Sequence, residues 1–260
     1  MKIILNERKY IEDALKSSDV NKNNSKNLAL LIKYYYLQGK DKGEVRQSVE
    51  QYMIKHYPKY NPILWDSHIT KLVDAGKRVK KRKNGDTIKK ELVEIDEICI
   101  TKAEINKIKA LRKLPLKKLA FGLLVYSKIH NQLGKNNTYW VNSELKDILS
   151  DCKIAADRKK QRLMIHELIN LGYLTSSNRV NETKTKVNFA NEDSDVVLVV
   201  RDFDYFIYDY LKLLGQRVKI CKTNTCDQRF IAKENGSLYC NKCKNRRNKD
   251  YIDKNSDKNK

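Results

Sequence analysis

Along the first 76 residues, apolar positions recur at helical spacing. Glu7–Lys16 is short and amphipathic. Asn27 to Gln38 sets Leu28, Leu31, Ile32, Tyr35 and Tyr36 on one face, and Glu44 to Tyr57 does the same with Val45, Val49, Tyr52 and Met53. A fourth helix opens at Pro62, whose missing N–H costs nothing in a first turn. Its apolar residues are Ile63, Leu64, Ile69, Leu72 and Val73. Polar breaks at Ser17 to Lys26 and Gly39 to Gly43 separate these segments. The pattern predicts a helical domain over residues 1–76, with Tyr34, Tyr35 and Tyr36 in its core and rim. Lys77 to Lys83 is then almost wholly basic and ends at Asn84-Gly85-Asp86, so residues 77–100 read as a basic linker with short strands. Thr87 to Ile100 alternates enough to form a strand pair, with Cys99 as a small buried hydrophobe.

The pattern changes over residues 101–215. Leu116 to Gln132 is a strongly apolar helix carrying Leu119, Ala120, Leu123, Leu124 and Ile129, and Thr138 to Val141 is a short strand. Asn142 or Ser143 can cap a brief helix from Glu144 to Leu149. Asp157 can cap a longer one, Arg158 to Leu171, that stops at Gly172. Its apolar face is Leu163, Ile165, Leu168, Ile169 and Leu171. Thr183 to Phe189 and Val196 to Val200 alternate and read as a hairpin turned through Asn191 to Ser194. Phe203 to Leu214 is a final helix, ended by Gly215. Between roughly 112 and 201, this order of elements and the ending Leu168-Ile169-Asn170-Leu171-Gly172-Tyr173-Leu174 resemble the winged helix-turn-helix superfamily. The resemblance implies that the Arg158 to Leu171 helix meets base edges with its N-terminal residues. Arg158, Lys159, Gln161 and Arg162 stand there, and Arg suits guanine as Gln suits adenine. A wing would offer Arg179, Lys184 and Lys186 to the minor groove or the backbone. Basic residues at a helix N-terminus oppose the helix dipole, so an anionic partner would relieve their placement. Winged helices also serve as protein–protein modules.

The clearest chemistry lies in residues 216–248. Cys221, Cys226, Cys240 and Cys243 form C-x4-C, thirteen residues, then C-x2-C. Two close pairs aimed at one point are what a tetrahedral Zn²⁺ site needs, and four protein ligands make such a site structural rather than catalytic. The intervening segment predicts a zinc ribbon, with Arg229 to Ala232 paired to Ser237-Leu238-Tyr239 through Lys233-Glu234-Asn235-Gly236. Tyr239 to Arg247 resembles the second knuckle of treble-clef and ribbon fingers, including the CGNR type, with Lys244 where that type has Gly. The competing reading is four unrelated thiols, or two disulfides of a secreted protein. The polar start of the chain speaks against a signal peptide and for a reducing, cytoplasmic setting. Residues 249–260 read as a disordered basic tail, and Arg246 and Arg247 begin the basic stretch.

Fold class is therefore mainly α with small β elements (α+β): an N-terminal helical domain, a central winged helix and a C-terminal zinc ribbon. Charge narrows the function. Lys and Arg number 54 against 32 Asp and Glu, a formal net charge of +22. Such an excess favours a polyanion, nucleic acid first, although the Lys- and Asn-rich usage of an AT-rich genome would produce a similar bias. No apolar run is long enough to span a membrane, and no basic amphipathic helix suits a membrane surface. No P-loop, dinucleotide-binding glycine pattern or nucleophile elbow occurs. His56, His68, His130 and His166 form no local pair. An enzyme is not expected. The whole layout resembles proteins of phages and integrative elements of AT-rich Gram-positive bacteria. The winged helix combined with the zinc ribbon predicts a DNA-binding role in transcription regulation or DNA replication, with RNA as a second candidate ligand. The N-terminal helices would serve a homodimer or a host protein. An adaptor that modifies a host machine is the alternative.

Overall fold

The computed structural model describes residues 3–16, 24–77, 80–81, 87–88, 91–134, 137–177 and 184–256. It is mainly helical with small sheets, and it divides into two units, residues 3–96 and 97–260.

The first unit consists of α1 (Glu7–Lys16), α2 (Asn24–Leu37), α3 (Lys42–His56), α4 (Pro62–Lys77) and the two-residue strands β1 (Lys80–Lys81) and β2 (Thr87–Ile88). The predicted stripes meet in one core of Ile11, Leu28, Ile32, Val45, Val49, Met53, Ile69 and Val73. Local chemistry sets the start of α3. Asp41 accepts the Glu44 N–H while Glu44 accepts the Asp41 N–H, a reciprocal capping box. Two expected core residues depart from the pattern: Ile63 and Leu64 are 87% and 77% exposed, because they lie in the first turn of α4, ahead of its packed stretch.

The second unit runs through β3 (Ile98–Thr101), α5 (Lys102–Lys109), α6 (Leu114–Gly134), β4 (Trp140–Val141), α7 (Leu145–Asp151), α8 (Arg158–Asn170), β5 (Leu174–Ser176), β6 (Thr185–Val187), β7 (Val196–Val200), α9 (Phe206–Leu213), β8 (Val218–Ile220), β9 (Arg229–Ile231) and α10 (Asn241–Ser256). At its centre is α6, buried around most of its circumference from Leu116 to Asn131. Phe121 on α6 stacks on Tyr210 of α9 at 4.3 Å between ring centres. Gly122 lets α7 close in, since a Cβ there would lie 2.1 Å from the Cys152 Sγ. A buried ion pair ties α5 to α6. Lys128 Nζ lies 2.9 Å from Glu104 Oε1, with side chains 6% and 0% exposed. Glu104 also closes a capping box with Thr101 and accepts the Asn191 N–H.

Strand pairing differs from the sequence expectation in two places. β6 does not pair with β7. It is the middle strand of the antiparallel sheet β4-β6-β5, so the hairpin after α8 is Leu174–Ser176 with Thr185–Val187. β7 pairs instead with β3, with Ile98 opposite Val200 and Cys99 opposite Val199. The expected strand pair within 87–100 is therefore replaced: β2 pairs with β1, and Ile98–Thr101 belongs to the second unit. On β3 the alternation buries Ile98 and Ile100 and turns Cys99 outward, so Cys99 is exposed rather than a buried hydrophobe. No helix among the described residues is long and apolar enough to cross a membrane.

Candidate metal centre and nucleic-acid interface

β8 delivers Cys221, and the loop returning to β9 carries Cys226. The Cys226 N–H donates to Thr223 O at 2.8 Å, which folds Lys222–Thr225 into a tight turn. Cys240 directly precedes α10, and Cys243 falls in its first turn. The Cys240 N–H points at Cys221 Sγ, 3.4 Å away. All four sulfurs lie within 4.8 Å of one another, and Cys226 and Cys240 are 3.8 Å apart. A tetrahedron of metal–sulfur bonds near 2.3 Å has edges of about 3.8 Å, so the arrangement fits a single metal ion. It does not fit disulfides, which need sulfurs at about 2 Å. Phe230 and Tyr239 pack against the cluster. The four cysteines form the one group of ligating side chains with metal-binding spacing among the described residues.

The scaffold under this site is not the expected ribbon. Arg229–Ile231 pairs with Val218–Ile220, in the register Val218 to Ile231, rather than with Ser237-Leu238-Tyr239. The cysteine loop closes that hairpin, leaving Ser237 to Tyr239 as a lead into α10, held by Lys222 N–H to Leu238 O at 3.0 Å. The metal centre thus joins a hairpin to a helix. That helix continues to Ser256, where the sequence suggests a disordered tail. Arg229 anchors the module to α9, donating to Asp209 Oδ1 at 2.7 Å and Asp202 Oδ2 at 2.6 Å.

Cys221 and Cys226 are drawn in opposite directions. Burial would raise Cys221, but hydrogen bonds involving Thr223, the Cys240 N–H and Cys243 bring it down to about 6. At Cys226 the Gln228 N–H lowers the pKa, yet burial and the sulfur contacts to Cys243, Cys240 and Cys221 push it up to about 12. Metal binding must displace the proton held at Cys226.

No protein-family model matches this chain, nor does any curated protein or solved structure. The functional reading rests on its own geometry.

The basic surface centres on α8. Asp157 caps it, accepting the Lys160 N–H at 2.8 Å, and this bond holds the carboxyl below its usual range. Arg158, Lys159, Arg162, Leu163 and His166 share one outward face, as i, i+4 and i+8 spacing requires. Leu163 and Leu171, expected on the buried face, are 57% and 53% exposed, and Leu168 is the one fully buried residue of α8. Arg158, Lys159 and Arg162 pair with no carboxylate among the described residues. Gln161 is half-buried, and its amide donates to Ala156 O at 2.8 Å, so that nitrogen is already engaged. A groove of about 810 Å³ runs between α7, α8 and the β5–β6 hairpin, bringing Arg158, Gln161, Arg162 and His166 together with Ser176 and Lys184. Lys186 lies on the middle strand and does not line the groove. Arg179 lies outside the described residues. Arg246 and Arg247 are exposed on α10, the latter 4.2 Å over the Tyr239 ring.

Two residues in these surfaces were not among the expected site residues. His166 sits two turns along α8 from Arg158, a relation visible from helical spacing. Lys222 lies between two metal ligands, and only the folded loop shows that it faces Arg246 and Arg247 across a cleft.

Proposed function

We propose that this chain is a nucleic-acid-binding protein that docks duplex DNA on its 97–260 unit, with a structural Zn²⁺ held by Cys221, Cys226, Cys240 and Cys243. Of the roles open to such a protein, a regulator or replication accessory protein of a phage or mobile element fits best. The observation that carries the reading is the groove joining Arg158, Gln161 and Arg162 on α8 to Lys184 on the neighbouring hairpin. Its support is chemical. Arg158, Lys159 and Arg162, which pair with no carboxylate among the described residues, gather at a helix N-terminus, where the dipole also favours a phosphate. The order α6, β4, α7, α8, β5, β6 and the sheet order β4-β6-β5 are compatible with a winged helix-turn-helix. In that geometry α8 would enter the major groove. Zinc is favoured over harder metals because four thiolates suit a soft, tetrahedral ion. No step of chemistry is assigned to the metal, which would orient the hairpin against α10.

The test is a titration of metal-loaded protein against labelled random duplex at two salt concentrations. Tight binding that weakens steeply with salt supports the reading, because released counterions scale with phosphates contacted. Absence of binding at low salt would remove it. Duplex RNA as competitor separates DNA from RNA.

One observation favours a second reading, an adaptor for a host protein machine. Ile54, Ile63 and Leu64 are 68%, 87% and 77% exposed on α3 and α4 of the first unit. Such residues suit a protein partner or a second copy of the chain. Salt-resistant co-purification with one defined protein, without duplex binding, would favour it.

A further inference from the structure

The metal module carries a second basic surface, separate from α8. The loop 222–225 and the first two turns of α10 enclose a cleft of about 440 Å³, walled on the helix side by Cys243, Arg246 and Arg247. Three of its seven lining residues are cations, and no carboxylate lines it. Asn224 and Thr225 add an amide and a hydroxyl as hydrogen-bond donors, while the Thr223 hydroxyl is engaged with Cys221 Sγ. Lys222 and Arg246 are exposed and pair with no carboxylate among the described residues.

Both walls are held by the metal ligands. The loop is bounded by Cys221 and Cys226 and pinned by the Cys226 N–H to Thr223 O bond. On the helix, Arg246 and Arg247 follow Cys243 by three and four residues, so all three share a face. The Arg247 guanidinium is further oriented by the Tyr239 ring, 4.2 Å below it. A pre-organised cleft with several donors and excess positive charge matches a phosphodiester, whose oxygens accept from several directions. The lining holds no apolar anchor of the kind that hydrophobic peptide partners require.

We propose that this cleft binds a backbone phosphate of the nucleic acid, as a contact additional to α8. The inference rests on the nucleic-acid reading above. Because phosphate contacts do not read bases, the cleft contributes affinity without sequence preference.

The experiment compares full-length, metal-loaded wild type with Lys222→Gln/Arg246→Gln, both titrated with random-sequence duplex DNA across a salt series. A second variant, Asn224→Asp, places a negative charge in the cleft with almost no change of shape. Metal content and Tm are measured for each, and only variants that match wild type in both are scored. The expected result is a salt slope shallower by about 0.9 for one lost phosphate, equivalent to roughly threefold in affinity at about 50 mM relative to about 200 mM salt. The loss is equal across unrelated sequences, and Asn224→Asp weakens binding in the same direction. Wild type that binds while both variants keep its affinity and slope overturns the cleft and leaves the α8 reading standing. Loss confined to one DNA sequence also overturns it, since it would indicate base contact. Wild type that binds no duplex overturns both.

Discussion

At Cys226 one sulfur closes both halves of the metal centre, 3.8 Å from Cys240 across the cluster. Replacing Cys226 or Cys240 by Ser removes one of the four sulfurs of the cluster. Metal content should fall below one ion per chain, and the 216–248 module should lose its dispersed NMR signals while the rest of the unit keeps its own. Full metal retention in either variant would refute the four-cysteine assignment. His130 supports a prediction about pH. Burial lowers its pKa, and Nε2 meets Ser143 Oγ at 2.9 Å. Its folded pKa thus lies below the unfolded value of about 6.5, so protons bind the unfolded chain more tightly. Its stabilising contribution is complete above about pH 6.5 and declines as pH falls through the window down to the folded pKa. Between about pH 7 and 5, wild type should therefore lose more Tm than His130→Gln. Parallel curves would exclude His130 as the titrating group.

Elements in this chain are defined locally but joined by contacts the sequence does not announce. The start of α8 was legible because its cap is a neighbour in sequence, whereas α7 begins after Glu144 with no side-chain cap rather than at the expected Asn142 or Ser143. Asp157 precedes α8 and bonds Lys160 N–H, three residues on. Thr101 and Glu104 form the same kind of signature and mark α5, a helix the apolar pattern alone does not reveal. Strand partners were not legible. Val196–Val200 is apolar throughout and would suit β6 as well as β3, and its partner β3 lies about a hundred residues upstream. Close approach of elements is likewise tertiary. At Gly122 α6 lies against the fully buried Cys152, whose thiol burial pushes up to about 12. Gly122→Ala should cost about 1–3 kcal/mol by overpacking, read by denaturant unfolding. Adding Cys152→Ala should recover part of that loss, and no recovery would mean that the strain lies elsewhere. The α5–α6 ion pair gives a sharper case. Lys128→Met would leave the fully buried Glu104 carboxylate without its cation and should cost about 3–5 kcal/mol. A Tm equal to wild type would show the pair to be dispensable.

Over the whole molecule, charge is the dominant property, at +22. Its distribution matters more than its sum. In α8 the outward cations Arg158, Lys159 and Arg162 share a face, whereas Lys128 is spent on a buried carboxylate and Arg229 on two half-buried ones. Replacing Arg158 and Arg162 together by Ala should weaken duplex binding about tenfold or more. Tm should stay within about a degree, since neither side chain is buried or paired among the described residues. Unchanged affinity, measured by anisotropy at low salt, would remove α8 from the interface.

By itself the sequence indicated most of the helices, the cap of α8, the mainly helical class and the four clustered cysteines. Each of these depends on residues a few positions apart, where spacing and side-chain chemistry act directly. Tertiary structure alone decided which strands pair, why Leu163 faces outward with the α8 cations, and that Arg229–Ile231 pairs with Val218–Ile220 rather than with Ser237 to Tyr239. It also decided that Lys222 confronts Arg246 and Arg247 across a cleft. Those outcomes depend on which surfaces are buried against each other. Periodicity specifies that a face is apolar or charged but not what it meets.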